Sequence, residues 1–265
     1  MDPIAVADHI TGWLKDRCVQ SGQRGFVVGV SGGIDSALTS TLCARTGLPT
    51  LCAEMAIHQA PGHVQRALEH VAWLQAAHPE VGLQRVDLTP TFDLLAKALP
   101  PGATAAVTDL ALANTRARLR MTTLYYLAGI HGRLVAGTGN KVEDFGVGFF
   151  TKYGDGGVDL SPIADLTKTE VYAVSRALGV PESILRVKPT DGLFGDDRSD
   201  EDQIGASYPE LEWAMALRER GVDPAGQALT ARQREVLAIF DRRHAANRHK
   251  MEPVPVCRVP SALKA

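Results

Sequence analysis

The chain has 265 residues, and 28 lysines and arginines against 30 aspartates and glutamates give a formal charge of -2. That balance leaves no basic footprint for nucleic acid, while 45% hydrophobic and 22% charged residues are ordinary for a globular chain. No apolar run approaches the roughly 18 residues of a membrane helix, Met1-Asp2-Pro3 lacks a basic signal-peptide start, and Cys18, Cys43, Cys52 and Cys257 form no C-x-x-C pair. The expected setting is a reducing cytoplasm, without a disulfide scaffold or zinc ribbon.

Along the chain, Ile4 to Val19 predicts an amphipathic opening helix. Strands are expected at Phe26–Val30, Thr50–Ile57, Leu83–Leu88 and Leu134–Gly137, with helices between them at Ser36–Ala44, His63–Ala77 and Asn114–Gly129. This alternation argues for an α/β fold, a doubly wound parallel sheet with helices on both faces. Ligands in such folds gather beyond the carboxyl ends of the strands. Past residue 139 the strand pattern fades, and residues 144–162 are glycine-rich and aperiodic, as a functional loop would be. Three capping-box patterns, Thr167-x-x-Glu170, Ser207-x-x-Glu210 and Thr230-x-x-Gln233, open later helices. The acidic run from Asp196 to Asp202 reads as a solvated loop. No repeat or boundary divides the chain, so residues 1–265 are expected to form a single domain.

The most informative string is Gly29-Val-Ser-Gly-Gly-Ile-Asp-Ser36. It follows the apolar run Phe26-Val27-Val28, which suits a strand buried on both faces. Two glycines permit a turn whose backbone N–H groups close on an anion, and the next helix aims its positive end at the same place. Asp35 and Ser36 fall in that helix's first turn, putting an acid and a hydroxyl beside an anion cradle. The spacing is not that of a Walker loop, and no G-x-G-x-x-G follows the strand. A Ser-Gly-Gly turn alone would be an ordinary helix cap; six matching positions between a strand and a helix outweigh that reading. The string resembles the pyrophosphate loop, Ser-Gly-Gly-x-Asp-Ser, of ATP pyrophosphatases. These enzymes cleave ATP to AMP and pyrophosphate while adenylylating a carbonyl or carboxyl oxygen.

Further strings are similar to those of NAD synthetases, and in the same order. They are Asn114-Thr-Arg-Ala-Arg-Leu-Arg-Met121, Gly137-Thr-Gly-Asn-Lys141, Phe150-Thr-Lys-Tyr-Gly-Asp-Gly-Gly-Val-Asp159, Leu166-Thr-Lys168, Lys188-Pro-Thr190, Asp200-Glu-Asp-Gln-Ile-Gly205 and Arg248-His-Lys-Met251. The resemblance spans nearly the whole chain. It implies an adenine nucleotide α-hydrolase-like fold and a ligase that amidates deamido-NAD (nicotinic acid adenine dinucleotide) with ammonia and ATP. The reaction would pass through an acyl adenylate and release AMP and pyrophosphate. The resemblance assigns ATP binding to Ser31, Gly32, Gly33, Ile34, Asp35, Ser36, Ala37, Leu38, Thr138, Lys168 and Thr190. It assigns deamido-NAD to Arg118, Lys152, Asp159, His249 and Lys250, and Mg2+ to Asp35 and Glu143. A homodimer whose interface helps form the deamido-NAD site is implied as well.

Arg116, Arg118 and Arg120 are two apart and cannot share a helix face, which fits a ligand role for Arg118 alone. Lys168 in a capped first turn opposes the helix dipole, a misfit that favours a ligand role. Asp159 can accept ribose hydroxyls and Lys152 can neutralise a phosphate or carboxylate. Gly137-x-Gly139 is not a redox dinucleotide loop, since Val142 stands at the next required glycine. His58, His63 and His70 lack a usual zinc spacing.

One position departs from the pattern. The family's metal-binding glutamate stands four residues before the glycine-aromatic-aromatic string, here Gly148-Phe149-Phe150; Asp144 has that spacing and Glu143 is one residue earlier. Counting forward from Gly137 selects Glu143 and counting backward selects Asp144; Glu143 is favoured, with Asp144 as the alternative. Little more than one helix precedes Ser31, so ammonia, not glutamine, is the expected nitrogen donor. The other readings are a different amidating or thiolating ligase with the same loop, and a catalytically silent nucleotide-binding regulator. The presence of Asp35, Lys168 and Thr190 argues against the regulator.

Overall fold

A computed structural model gives the fold, with residues 1–190, 199–221 and 228–264 described. Phe26, Val27 and Val28 are fully buried in strand β1 (Phe26–Gly29), as a strand covered on both faces requires. Beside it run β2 (Thr50–Glu54) and β4 (Leu134–Val135), and β3 (Val81–Arg85) lies beyond β2. Every pairing is parallel, in the order β3-β2-β1-β4, with Phe26 opposite Thr50 on one side and Leu134 on the other.

Alternate residues feed opposite faces. Phe26 and Val28 pack with Leu14 of α1 (Pro3–Gln20), Leu38 and Leu42 of α2 (Ile34–Arg45) and Ala136. Val27, Leu51, Ala53 and Val135 point the other way, onto Phe92 of α4 (Thr89–Ala98) and Leu127 and Ala128 of α5 (Ala105–His131). Val30 and Cys52 meet Ala67, Val71 and Leu74 of α3 (Pro61–Ala77). The doubly wound α/β sheet expected from the alternation is present.

The elements depart from expectation at their edges. Helix α4 was not foreseen, although Thr89-Pro90 carries the signal of proline in a first turn. Helix α5 starts well before Asn114, because Thr104 caps it by accepting from the Val107 N–H. Strand β3 sits two residues earlier than predicted, and β4 stops at Val135. Beyond it Ala136 makes only an isolated parallel bridge to Leu160.

The helices after the sheet divide between two cores: Val171, Val174 and Ile184 pack with Phe26, Leu38 and Leu42 under the sheet, while the last helices form a second unit. Helices α6 (Lys168–Ala177), α9 (Tyr208–Glu219) and α10 (Ala231–Met251) open with the three expected capping boxes. A short helix, α7 (Glu182–Leu185), follows α6. A fourth box, Ser199 with Asp202, opens α8 (Asp200–Ile204) and corrects the solvated-loop expectation: Ser199 and Asp200 are buried. Asp196, Asp197 and Arg198 lie outside the described residues. Leu211, Met215, Val236 and Phe240 make a core apart from the sheet, joined by Val142 and Val147 from a π-helical turn, Val142–Val147. Among the described residues no helix is long and apolar enough to cross a membrane.

Candidate active site

The loop after β1 is shaped by its own side chains. Gly32 has a φ of +80°, and a Cβ there would sit 2.5 Å from the His63 carbonyl oxygen, so only glycine fits. The Ser36 hydroxyl accepts from the Ser31 N–H at 3.2 Å and donates to the Gly33 carbonyl at 3.0 Å, while the Gly33 N–H donates to Ser31 Oγ at 3.2 Å. Two of the three loop amides are thus held internally. The N–H groups of Ile34, Asp35 and Ser36, in the first turn of α2, have no intrahelical acceptor and remain the natural anion donors. Ala37 and Leu38 are core residues whose side chains face away from the cleft.

Asp35, one residue into α2, meets two partners from distant parts of the chain. Its Oδ1 accepts from Asn140 Nδ2 at 3.1 Å and its Oδ2 from Lys168 Nζ at 2.6 Å. The same ammonium donates to Glu143 Oε1 at 2.8 Å. Lys168 is 3% exposed. Burial alone would lower its pKa, but Asp35 and Glu143 outweigh that and hold it above the ordinary lysine value. The misfit of a cation in the first turn of α6 is thereby explained: two carboxylates offset the helix dipole.

Both candidate acids stand in the π-helical turn. A π turn closes hydrogen bonds five residues apart instead of four, so it holds one residue more than an α turn. Glu143 opens it and bonds Lys168; Asp144 follows, and both side chains line the cleft. It is Glu143 that shares Lys168 with Asp35. Asp144 packs against Gly139, where a Cβ would lie 2.1 Å from Oδ2, so the second glycine of Gly137-x-Gly139 makes room for this acid. Burial pushes the Asp144 carboxyl up to about 8, with repulsion from Glu143, Asp155 and Asp35 adding to it.

These groups open on one cleft of about 260 Å³ at the carboxyl ends of the strands. Ser31 to Ser36, Thr138, Glu143 and Thr190 line it, as do Met55, Met121 and Leu124 on its apolar side. Sequence reasoning missed several residues here. Asn140 bridges Asp35 and the π turn, since its Oδ1 also accepts from the Glu143 N–H at 3.2 Å. Arg66 lines the cleft with Nε 3.4 Å from the Gly32 carbonyl oxygen. Arg120, not Arg118, is the arginine of the α5 series that lines it, donating to the Met55 carbonyl at 3.1 Å. Tyr208 reaches Glu143 Oε1 with its hydroxyl.

Four of the five residues expected at deamido-NAD gather outside this cleft, around the glycine-rich loop. Arg118 donates to the Lys152 carbonyl at 3.3 Å, Lys152 Nζ donates to the His249 carbonyl at 2.7 Å, and Lys250 Nζ donates to the carbonyls of Gly148 and Phe150. Asp159 lies apart, its carboxylate taking the Val135 N–H at 2.8 Å and the Tyr125 hydroxyl at 3.1 Å. Arg116 stacks over Phe92 at 4.3 Å.

Among the described residues no three histidine, cysteine, aspartate or glutamate side chains gather as a metal cluster. Of the carboxylates that line the cleft, Asp35 and Glu143 share the Lys168 ammonium. That donor set fits a small, hard cation whose remaining ligands are phosphate oxygens and water. His58 instead pairs with Asp93 at 2.7 Å, and His70 is buried against Ser40 at 2.8 Å.

The parallel sheet, with its glycine turn leading into the N-terminus of α2, defines an α/β protein with an anion site at the carboxyl ends of its strands. Within that class sequence decides. The NAD synthase family model matches residues 6–254, and the chain belongs to that family. The NH(3)-dependent NAD(+) synthetase of Methanococcoides burtonii is 40% identical over 216 residues, covering 80% of this chain and 78% of that one. Among solved structures, NMN synthetase from Francisella tularensis has a TM-score of 0.84 at 28% identity, covering 98% of this chain and 100% of that one. NH3-dependent NAD synthetase from Campylobacter jejuni, in complex with the nitrate ion, has a TM-score of 0.75 at 25% identity, over 97% and 100% of the two chains.

Proposed function

We propose that this chain forms NAD by joining ammonia to the carboxylate of deamido-NAD, with ATP converted to AMP and pyrophosphate. The observation that carries the reading is one buried ammonium, Lys168, shared by Asp35 and Glu143 at the end of a glycine turn and helix N-terminus. The first-turn amides of α2 and Lys168 bind the phosphates, with Thr138 and Thr190 along the cleft wall. Asp35 and Glu143 would hold Mg2+, which when bound would offset charge on the departing pyrophosphate. In the first step a carboxylate oxygen of the substrate attacks the α-phosphorus; in the second, ammonia displaces AMP from the acyl adenylate. No side-chain nucleophile is required, so positioning and charge compensation supply the catalysis.

Arg118, Lys152, His249 and Lys250 serve the dinucleotide, and a homodimer completes the site. On α5, Tyr126 and Ile130 are exposed and, by helical spacing, about 40° apart, so a second copy could pack on that side of the helix. Residues 1–265 act as one domain. The protein acts in the cytoplasm. Cys18, Cys43 and Cys52 are buried, and burial raises their pKa values, Cys52 to about 12, so these three are poorly suited to act as a glutamine-cleaving nucleophile.

A second reading follows from the TM-score of 0.84 to an NMN synthetase: the acid amidated is the mononucleotide. One experiment tests both. Purified protein, ATP, Mg2+ and ammonium are given deamido-NAD or nicotinic acid mononucleotide, and AMP and the amidated product are identified by mass. Preferred formation of NAD supports the first reading and preferred formation of NMN the second. ATP retention with both acids overturns both. Replacing ammonium by glutamine should stop product formation, and at limiting ammonium the rate should rise with pH because the neutral amine attacks.

A further inference from the structure

Glu143 is also gripped by a side chain from the C-terminal helices. Tyr208, the first residue of α9, sends its hydroxyl to Glu143 Oε1. That is the same oxygen that accepts from Lys168, so Oε2 is left to face other ligands. The Tyr208 ring lies under the Lys168 ammonium, with Nζ 4.5 Å from the ring centroid. One side chain therefore touches both members of the Glu143–Lys168 pair.

Tyr208 is itself fixed at every point. It is 3% exposed and packs in the core made by Leu211, Val236 and Phe240. Its N–H donates to Glu201 Oε1 at 2.9 Å, and Asp200 Oδ2 stands 3.1 Å from its hydroxyl. Both acids come from α8, and the Ser207–Glu210 box sets the start of α9. A mobile glutamate would lose rotamer freedom on binding a cation. A glutamate already held at one oxygen avoids most of that loss.

We propose that Tyr208 is a positioning residue of the nucleotide site: its hydroxyl sets the orientation of Glu143 and its ring face supports Lys168. The C-terminal helices thereby become a working part of the site and not merely its cover. This rests on the reading of the cleft as an Mg–ATP site.

The test compares wild type, Tyr208→Phe, Glu143→Gln and the double variant. Each is titrated by calorimetry with a non-hydrolysable ATP analogue over a range of Mg2+ concentrations, and thermal unfolding is followed without ligand. Tyr208→Phe keeps the ring, so it should unfold close to the wild-type temperature yet need about tenfold more Mg2+ for half-maximal analogue binding, the scale of loss when a ligand's supporting hydrogen bond is removed. Its KM for Mg–ATP should rise while its KM for ammonium does not. Added to Glu143→Gln, it should change nothing further, because it acts through that glutamate. An unchanged Mg2+ requirement in Tyr208→Phe, or effects that simply add in the double variant, would overturn the proposal. A wild type that binds no analogue would instead overturn the ATP reading, and this inference with it.

Discussion

The sheet and the C-terminal helices contribute to the cleft in opposite ways. From the sheet come backbone groups: a glycine turn after β1 and the amides that start α2, fixed by strand pairing and by serine hydroxyls. From the helical unit and the π turn come side chains, Glu143 and Tyr208, fixed by a separate core. Asp35 and Lys168 meet at the seam. A site split in this way takes its anion cradle from local sequence and its charge balance from tertiary packing.

The sharpest way to break the comparison is to remove the seam's charge without altering its shape. Asp35→Asn should lower turnover by roughly 10²–10³-fold with the fold intact, as loss of one preorganised electrostatic partner does; near-normal activity at saturating Mg2+ would put the acid outside the reaction. On the other side of the seam, Glu143→Gln should cost more activity than Asp144→Asn, and the reverse ranking would move the ligand to Asp144.

The two cores can be separated next. Leu38→Ala under the sheet and Leu211→Ala in the helical unit should each cost about 2–5 kcal/mol, since both side chains are fully buried. Hydrogen exchange should show Leu211→Ala speeding the amides of α9 and α10 while β1 and β2 stay slow. Uniform acceleration would mean that the two regions open as one unit.

A smaller effect belongs to the sheet side alone. Burial lowers the His70 ring from 6.5 to about 4. The unfolded chain therefore takes up this proton first, so the contribution is complete above pH 6.5 and is lost as pH falls toward 4, by roughly 3 kcal/mol at most. Denaturant midpoints at pH 7 and pH 4.5 should fall less for His70→Gln than for wild type, and equal falls would assign the acid sensitivity elsewhere. Smallest of all, the native protein should show a single fast-reacting thiol, Cys257, with Cys18, Cys43 and Cys52 appearing only on unfolding.

What could be read from the sequence follows the same division. Phe26-Val27-Val28 and Ser31-Gly32-Gly33 announce a strand and an anion turn because their meaning is contained within ten residues. The capping boxes at Thr167, Ser207 and Thr230 are equally local. Tyr208 carried no such signal: its partner Glu143 stands 65 positions away, and a tyrosine at a helix start reads as core. Lys168 stood out by its string and by its misfit at a helix start, but its partner could not be read locally, since that aspartate lies 133 positions earlier. The α5 arginines show the limit of helical spacing, which separates Arg116, Arg118 and Arg120 onto different faces but does not say which face meets the cleft. Asp200 misled because a run of acids resembles a solvated loop until Tyr208 is placed beside it.

The π turn bears on how the chain can change length over evolutionary time. Its extra residue is taken up between Val142 and Val147, both fully buried, and Gly148 closes it in a left-handed conformation. An insertion placed there widens one turn of helix without lengthening a loop, so the flanking anchors keep their places while the register of the acids shifts. Phe145, 46% exposed, stands at the solvent side of the turn, where a residue can be gained or lost with least disturbance to the core.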